Sequence, residues 1–258
     1  MKILIVYAHS NPKSFCHALL EQFTKGLVDA GHTYEVIDLH AMHFDPVIKA
    51  RDWPDWIDES MPLDMLERAN LKQQLLDASG GPIQRYLMKR WLRDKGPLDI
   101  VKFIRQHQPK DIVAQQEKVA RAQGLAFIAP VYFVGFPAIL KGWIDRVFSL
   151  GFAFGLTPEG WRGDIKGRIP LLKHEKALII DTTLFNEETY RSLGLSDAME
   201  KLIDEWCFRY PGIQKVEHVY FYAVYGADDT TRQGYLRRAY LLGKEFEQAE
   251  LLQEVTSL

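Results

Sequence analysis

Cysteine is scarce in this 258-residue chain: Cys16 and Cys207 are the only two, and neither stands in a CxxC or Cys/His spacing. A disulfide scaffold and a zinc site are both excluded, and a reducing cytoplasm is the expected setting. An excess of one charge is missing too, since 32 Lys and Arg meet 34 Asp and Glu for a net −2, which removes the basic footprint of a nucleic-acid-binding domain. No apolar run approaches the roughly 18 residues that a membrane span needs. The apolar start breaks at once into His9-Ser10-Asn11-Pro12 without a cleavage pattern, so it reads as a strand and not a signal peptide. GxGxxG and P-loop lysine motifs are absent, as are repeats and low-complexity tracts. What is present is a 47% hydrophobic chain of a length that suits one substantial core, and a single domain over 1–258 is expected.

Four short runs, Lys2–Tyr7, 124–129, 177–182 and 216–224, are rich in β-branched or aromatic residues and do not alternate with polar ones. That is the signature of strands buried on both faces. Thr33–Asp38 adds a fifth after the helix-length segment 14–30 and the breaker Gly31, and helical patterns at 137–150, 197–208 and 229–252 separate the later strands. Strand and helix alternating in this way imply parallel βαβ units. The expected fold is α/β, a flavodoxin-like doubly wound five-stranded parallel sheet in the order 2-1-3-4-5. Residues 45–110 interrupt the alternation as a long helical insertion between strands 2 and 3, with helix-like pieces at 63–78, 83–93 and 99–106. The insertion is expected to pack on the main domain or on a second subunit. Its stretch Arg85-Tyr86-Leu87-Met88-Lys89-Arg90-Trp91-Leu92-Arg93 is basic and amphipathic, which fits a solvated helix with one buried stripe, or a face for an anionic partner or membrane surface.

In open α/β sheets ligands bind beyond the carboxyl ends of the strands, so loops 9–15, 130–136 and 182–196 are the candidate site. In the first, Ser14 is placed to cap a helix, leaving the amides of Phe15, Cys16 and His17 facing outward as an anion site; the plain alternative is a capped helix and a structural His9. In the second, Tyr132, Phe133 and Phe136 lie beside Pro130 and Pro137, with Gly135 allowing close backbone approach. These rings could be core; with backbone donors beside them they suit an isoalloxazine. Cys16 is expected to be a buried structural thiol, and Asp145 and Arg146 a structural ion pair or cap.

Several motifs resemble the flavodoxin-like NAD(P)H dehydrogenases (quinone), including the DT-diaphorase-type FAD-dependent quinone reductases. They are Ala8-His9-Ser10 with Ser14-Phe15, Asp111-Ile112-Val113-Ala114-Gln115-Gln116, Pro137-Ala138-Ile139-Leu140-Lys141-Gly142-Trp143 with Arg146-Val147-Phe148, and Gly151-Phe152-Ala153-Phe154. The resemblance implies that His9, Ser14 and Phe15 hold the phosphates and ribityl chain of FAD, with FMN as the alternative. It implies that Pro130, Val131, Tyr132, Phe133 and Val134 follow the ring system, that Thr182 and Thr183 open the third flavin loop, and that Arg232 lies near the adenine half. Tyr190 would be the catalytic tyrosine, and Phe154 and Tyr210 aromatic walls of the substrate pocket. Two positions depart from the family: Leu184-Phe185 replace a Gly-Gly, and Ser196 replaces a histidine, whose charge-balancing role would pass to the second-loop amides or to His174, or Tyr190 would act without a charged partner. The implied activity is two-electron hydride transfer from NAD(P)H through flavin to a quinone-like acceptor by a ping-pong mechanism, in a cytoplasmic homodimer without a membrane span. Alternatives of the same resemblance are a regulatory flavoprotein subunit docked to a membrane potassium-efflux system, and a reductase of azo, nitroaromatic or iminoquinone compounds.

Overall fold

The computed structural model describes residues 1–49, 52 and 57–248. Its strands in chain order are β1 (Lys2–Tyr7), β2 (Thr33–Asp38), β3 (Gly124–Pro130), β4 (Phe154–Leu156), β5 (Arg168–Pro170), β6 (Lys176–Thr182) and β7 (Val216–Phe221). Five of them form one parallel sheet in the order β2-β1-β3-β6-β7, and β4 pairs antiparallel with β5 in a separate two-stranded ribbon. With that ribbon left out of the count, the main sheet has the expected 2-1-3-4-5 order. The ribbon carries no sequence signal, because three residues are too few to show a period.

The helices are α1 (Phe15–Asp29), α2 (Leu63–Arg68), α3 (Leu71–Ala78), α4 (Pro82–Trp91), α5 (Pro97–Gln106), α6 (Lys110–Arg121), α7 (Ala138–Val147), α8 (Pro158–Trp161), α9 (Glu187–Ser192), α10 (Leu195–Met199) and α11 (Asp229–Lys244). A π-helix, Glu200–Arg209, follows α10. The helical piece expected over 63–78 is broken in two at Asn70, whose φ of 49° is left-handed and stops α2 from running into α3. The strand expected over 216–224 stops at Phe221, because Ala223 turns to φ 50°. The helical pattern expected to reach residue 252 ends at Lys244, and the last residues of that pattern lie outside the described set. No helix among the described residues is long and apolar enough to cross a membrane.

Two compact units divide the chain: Met1–Pro46, Lys118–Trp143 and Lys173–Leu258 in the first, Val47–Glu117 and Ile144–Leu172 in the second. The first holds the parallel sheet. On one face Ile3, Ile5, Ala126, Ile128, Leu178, Ile180, Val219 and Phe221 pack under Leu19, Phe23 and Leu27 of α1 and Ala239 and Leu242 of α11. On the other, Phe127 meets Trp143 of α7 edge-on at 6.1 Å and Phe208 of the π-helix at 4.6 Å. β3 and β6 are buried along their whole length, as the apolar run of β3 and the Ala177–Ile180 stretch of β6 require, with Asp181 carried into the interior beside them. The second unit has its own cluster of Ile57, Leu66, Leu71, Leu92, Ile100, Val101 and Ile104. It also holds Arg146, which donates to Asp52 Oδ2 and Oδ1 at 2.7 and 3.1 Å and to Asp111 at 2.9 Å, the structural pairing expected of that residue.

α1 and α11 touch backbone to backbone at two glycines. A Cβ on Gly26 would collide with Tyr240 O, and one on Gly243 with Phe23 O. Gly234, on the same α11, faces open space. Gly243→Ala is therefore expected to lower stability in urea denaturation by about 1–3 kcal/mol through overpacking. Gly234→Ala is expected to raise it by about 0.5–1 kcal/mol through helix propensity alone. Equal effects of the two would contradict the close helix contact.

Candidate functional site

Four strand ends are laced into one ledge in the first unit. Ala8 N donates to Ile128 O at 3.0 Å, Val131 N to Thr182 O at 2.9 Å and Thr183 N to Phe221 O at 3.0 Å. The loops after β1, β3 and β6 therefore leave the same edge side by side.

The first loop is knitted by its own polar groups. His9 Nδ1 accepts from Asn11 N at 3.0 Å, Asn11 Oδ1 accepts from Lys13 N at 2.9 Å, and Ser14 N donates to Asn11 O at 3.1 Å. An imidazole that accepts a backbone N–H at Nδ1 is neutral with its proton on Nε2, and burial followed by the nearby His40 lowers the His9 pKa in the same sense. Ser14 caps α1 as expected, its Oγ accepting from His17 N at 3.1 Å. That bond takes one of the three amides assigned to the anion site, so the outward donors are those of Phe15 and Cys16, with the positive end of a fifteen-residue helix behind them. Nδ1 of His17 is buried there without a partner. Cys16 is buried and its thiol pKa is pushed up by that burial, an inert structural thiol as expected.

The second loop is a tight turn closed by Tyr132 N donating to Gly135 O at 3.0 Å. Its left-handed positions are Phe133 at φ 48° and Val134 at φ 58°, not the glycine beside them. A β-branched residue in that region is strained by about 1–3 kcal/mol, and such strain collects at ligand-gripping segments. Pro130 is buried at the end of β3 and Phe136 is anchored edge-on to Phe208 at 6.4 Å. Tyr132 and Phe133 stand out, at 55% and 106% exposure. The turn thus presents two rings from a fixed base.

In the third loop Thr182 and Thr183 are buried, and Thr183 Oγ1 donates to Phe185 O at 2.7 Å and accepts from Ala223 N at 3.3 Å. Leu184 and Phe185 project outward. α9, capped by Asn186, carries Tyr190 inward to 3% exposure, its ring 5.4 Å from Tyr222 and 5.9 Å from Tyr220. Burial, then the charge of Asp181, pushes its phenol up to about 12, so the hydroxyl stays protonated. Ser196 Oγ is buried beside the Tyr222 hydroxyl.

The rings continue along β7. Tyr222, one residue past the strand end, stacks on Tyr220 at 5.5 Å, and Tyr220 stacks on His218 at 4.2 Å, two residues before it on the same strand face. His218 sits between two buried carboxylates: its Nε2 is 2.9 Å from Asp181 Oδ2 on β6, and its Nδ1 is 2.8 Å from Asp204 Oδ1 on the π-helix. Desolvation alone would lower its pKa, but the two carboxylates override it and raise it to about 9. The same burial pushes the Asp181 carboxyl up, with its bond to His218 only opposing that shift, and His218 is the imidazolium of this cluster. His174 is not: it reaches Val119 O at 2.9 Å, burial lowers its pKa, and it lies just before the amino end of β6, away from the ledge.

The structure gathers His9, Ser14, Phe15, Pro130, Val131, Tyr132, Phe133, Val134, Thr182, Thr183 and Tyr190 on or under this ledge. Arg232 joins them from α11, with Nη2 3.4 Å from Val224 O and Nε buried without a partner. One turn further on, Tyr235 packs on Phe15 at 6.3 Å. Tyr210 is placed elsewhere, stacked on Trp206 beside Arg209, which reaches Val216 O at the amino end of β7. Phe154 opens β4 in the second unit. Sequence reasoning missed Asp181, Asp204, His218, Tyr220 and Tyr222. The available signal was a lone aspartate in an apolar strand, since such a charge is almost never fully buried unpaired.

A family model described as "Flavodoxin-like fold" matches residues 1–241. The chain belongs to the flavodoxin-like fold family. Among its relatives is a ribosyldihydronicotinamide dehydrogenase [quinone] of Mus musculus, 32% identical over 171 residues, which are 66% of this chain and 61% of that protein. An uncharacterized NAD(P)H oxidoreductase of Haemophilus influenzae is 25% identical over 240 residues, 93% of this chain and 92% of that protein. The solved NAD(P)H:quinone oxidoreductase from Methanothermobacter marburgensis superimposes with a TM-score of 0.66 at 26% identity, over 97% of this chain and 99% of its own.

An imidazolium whose pKa is raised on folding stabilises fully below its free value of 6.5, and the contribution is lost as pH rises through about 9. Stability measured by denaturation is expected to fall across that window. His218→Gln should flatten the slope there and, by leaving buried carboxylates unpaired, cost about 3–5 kcal/mol at neutral pH. A variant that keeps the parent's slope would remove His218 from this role.

Proposed function

We propose that the protein is a flavin-dependent NAD(P)H:quinone oxidoreductase, acting as a cytoplasmic homodimer. The observation that carries this reading is the ledge: open helix-end amides, a strained turn presenting two rings, and an unpartnered buried guanidinium nitrogen lie on one sheet edge. Those donors fit an elongated anion with a flat ring system, and the relatives' names give the chemical class. The fit rests on the orphaned Nε of Arg232 and Nδ1 of His17, which no protein group satisfies.

Phe15 and Cys16 amides, with Ser14 and His9, would hold the phosphate. Arg232 would hold the second phosphate or the adenine side of FAD, which favours FAD over FMN. Pro130, Val131, Tyr132, Phe133 and Val134 would border the ring, and Thr182 and Thr183 would support its far edge. The bound flavin supplies the two-electron hydride chemistry. The protein's task is positioning: Tyr132 and Phe133 offer flat walls that accept nicotinamide and then a quinone in turn, and backbone amides of the second loop stabilise developing negative charge. Tyr190 keeps its proton up to high pH and would donate a hydrogen bond to the acceptor oxygen. Phe154 and Tyr210 are proposed as walls that the dimer contributes to the partner's pocket.

Purified protein should release FAD on denaturation, and NAD(P)H and quinone should give parallel double-reciprocal lines. Protein that holds neither FAD nor FMN after reconstitution would overturn the reading. Tyr190→Phe is expected to retain flavin and to lower kcat about 100-fold, in the range of a lost proton donor. Val134→Gly relieves a backbone strain of about 1–3 kcal/mol. It should melt no lower than the parent while binding flavin more weakly, because the turn is no longer held in the binding shape.

A further inference from the structure

Helix α4 has no part in the ledge, and it is built as two faces of opposite purpose. Its inner side rests Met88 and Trp91 on the apolar cluster of the second unit. Its outer side shows Ile83, Tyr86 and Leu87 at 76%, 65% and 56% exposure, spaced i, i+3, i+4 so that they form one stripe. No residue of the helix is fully buried. The stripe is bordered by cations: Lys89 and Arg90 in the last turn and Arg93 just beyond, all exposed and none with an ion-pair partner among the described residues. Arg85 turns back to Leu76 O and Asp77 at 3.1 and 3.4 Å. Between Gly80 and Arg93 the chain has no acidic residue at all.

We infer that this face of α4 is an interfacial anchor that lays the protein reversibly on an anionic lipid surface. The stripe would enter the boundary between headgroups and acyl chains, while Lys89, Arg90 and Arg93 extend their apolar stems beside it and pair with lipid phosphates. Charge complementarity selects this occupant. A second copy docked through the same patch about a two-fold axis would set these unpaired cations against themselves. An acidic protein would have to grip an outward-facing helix side with three large apolar side chains, which a fluid interface accommodates without a shaped groove. Ten residues make a helix of about 15 Å, too short to span and suited to lying flat. The contact is weak and salt-sensitive, since it rests on a few cations and one short stripe.

The test is co-sedimentation of the purified full-length protein with phosphatidylglycerol-containing vesicles, against pure phosphatidylcholine vesicles, at low and high salt. Pelleting with the anionic vesicles at low salt, lost at high salt, is the expected result. Each cation removed should lower the partition coefficient about fivefold, so Lys89→Gln with Arg90→Gln should lower it about 25-fold. Leu87→Glu should abolish pelleting while leaving the melting temperature and solution turnover as in the parent, because the side chain is exposed and outside the ledge. Binding independent of lipid charge, or variants that pellet like the parent, would overturn the inference. So would self-association in the absence of lipid that Leu87→Glu removes, or equal retention on immobilised poly-glutamate, which would assign the face to a second copy or an acidic protein.

Discussion

The parallel ladder running through β3 and β6 is the constraint on which the rest depends. Both strands are buried along their whole length, so every backbone N–H and C=O in them must pair with a neighbouring strand. Parallel pairing forces each connection to cross the sheet and return, which leaves all strands ending on the same side. The hydrogen bonds Ala8 to Ile128, Val131 to Thr182 and Thr183 to Phe221 carry that pairing past the strand ends. The ledge is therefore a consequence of sheet hydrogen bonding, and its loops inherit their places from it.

Beneath the ledge the structure accepts an expensive arrangement. Two carboxylates and an imidazolium sit in the layer between the sheet and the π-helix, where hydrophobic residues of equal volume would serve stability as well. The wide turns of the π-helix are what bring Asp204 inward next to Phe208, both buried, while Trp206 remains outside. Such helices are concentrated near functional segments. Here it closes a polar chain whose other end, through Tyr220 and Tyr222, is the ring of Tyr190. Ser196, which stands where the resemblance would place a histidine, lies on α10, and the imidazolium of this cluster is His218 on β7.

The sheet order, the capping Ser14 and the place of the three loops were legible because unbroken apolar runs and helix caps are local signals. Gln116 could be read only as a motif residue and Arg146 only as an ion-pair member without named partners, since those partners, Ser149 and Val147 for the one and Asp52 and Asp111 for the other, come from separate parts of the chain. The triad at His218 was not legible for the same reason: Asp181, Asp204 and His218 are brought together by strand register and a π-turn, neither of which has a sequence period. The strain at Phe133 and Val134 was hidden differently. Sequence pointed to Gly135 as the adaptable residue, and the backbone placed the unusual angles on its neighbours.

The two glycines that join α1 to α11 tie the beginning of the chain to its end. Tyr240 reinforces the join by donating its hydroxyl to Asp29, 211 residues away in sequence. α1 carries open amides at its first turn, yet α11, the surface against which it seats, follows every strand of the sheet in chain order. Vectorial synthesis therefore completes the sheet's central strands long before the first helix has its permanent neighbour. The helix that follows the first loop thus waits for a neighbour made after all the strands it covers.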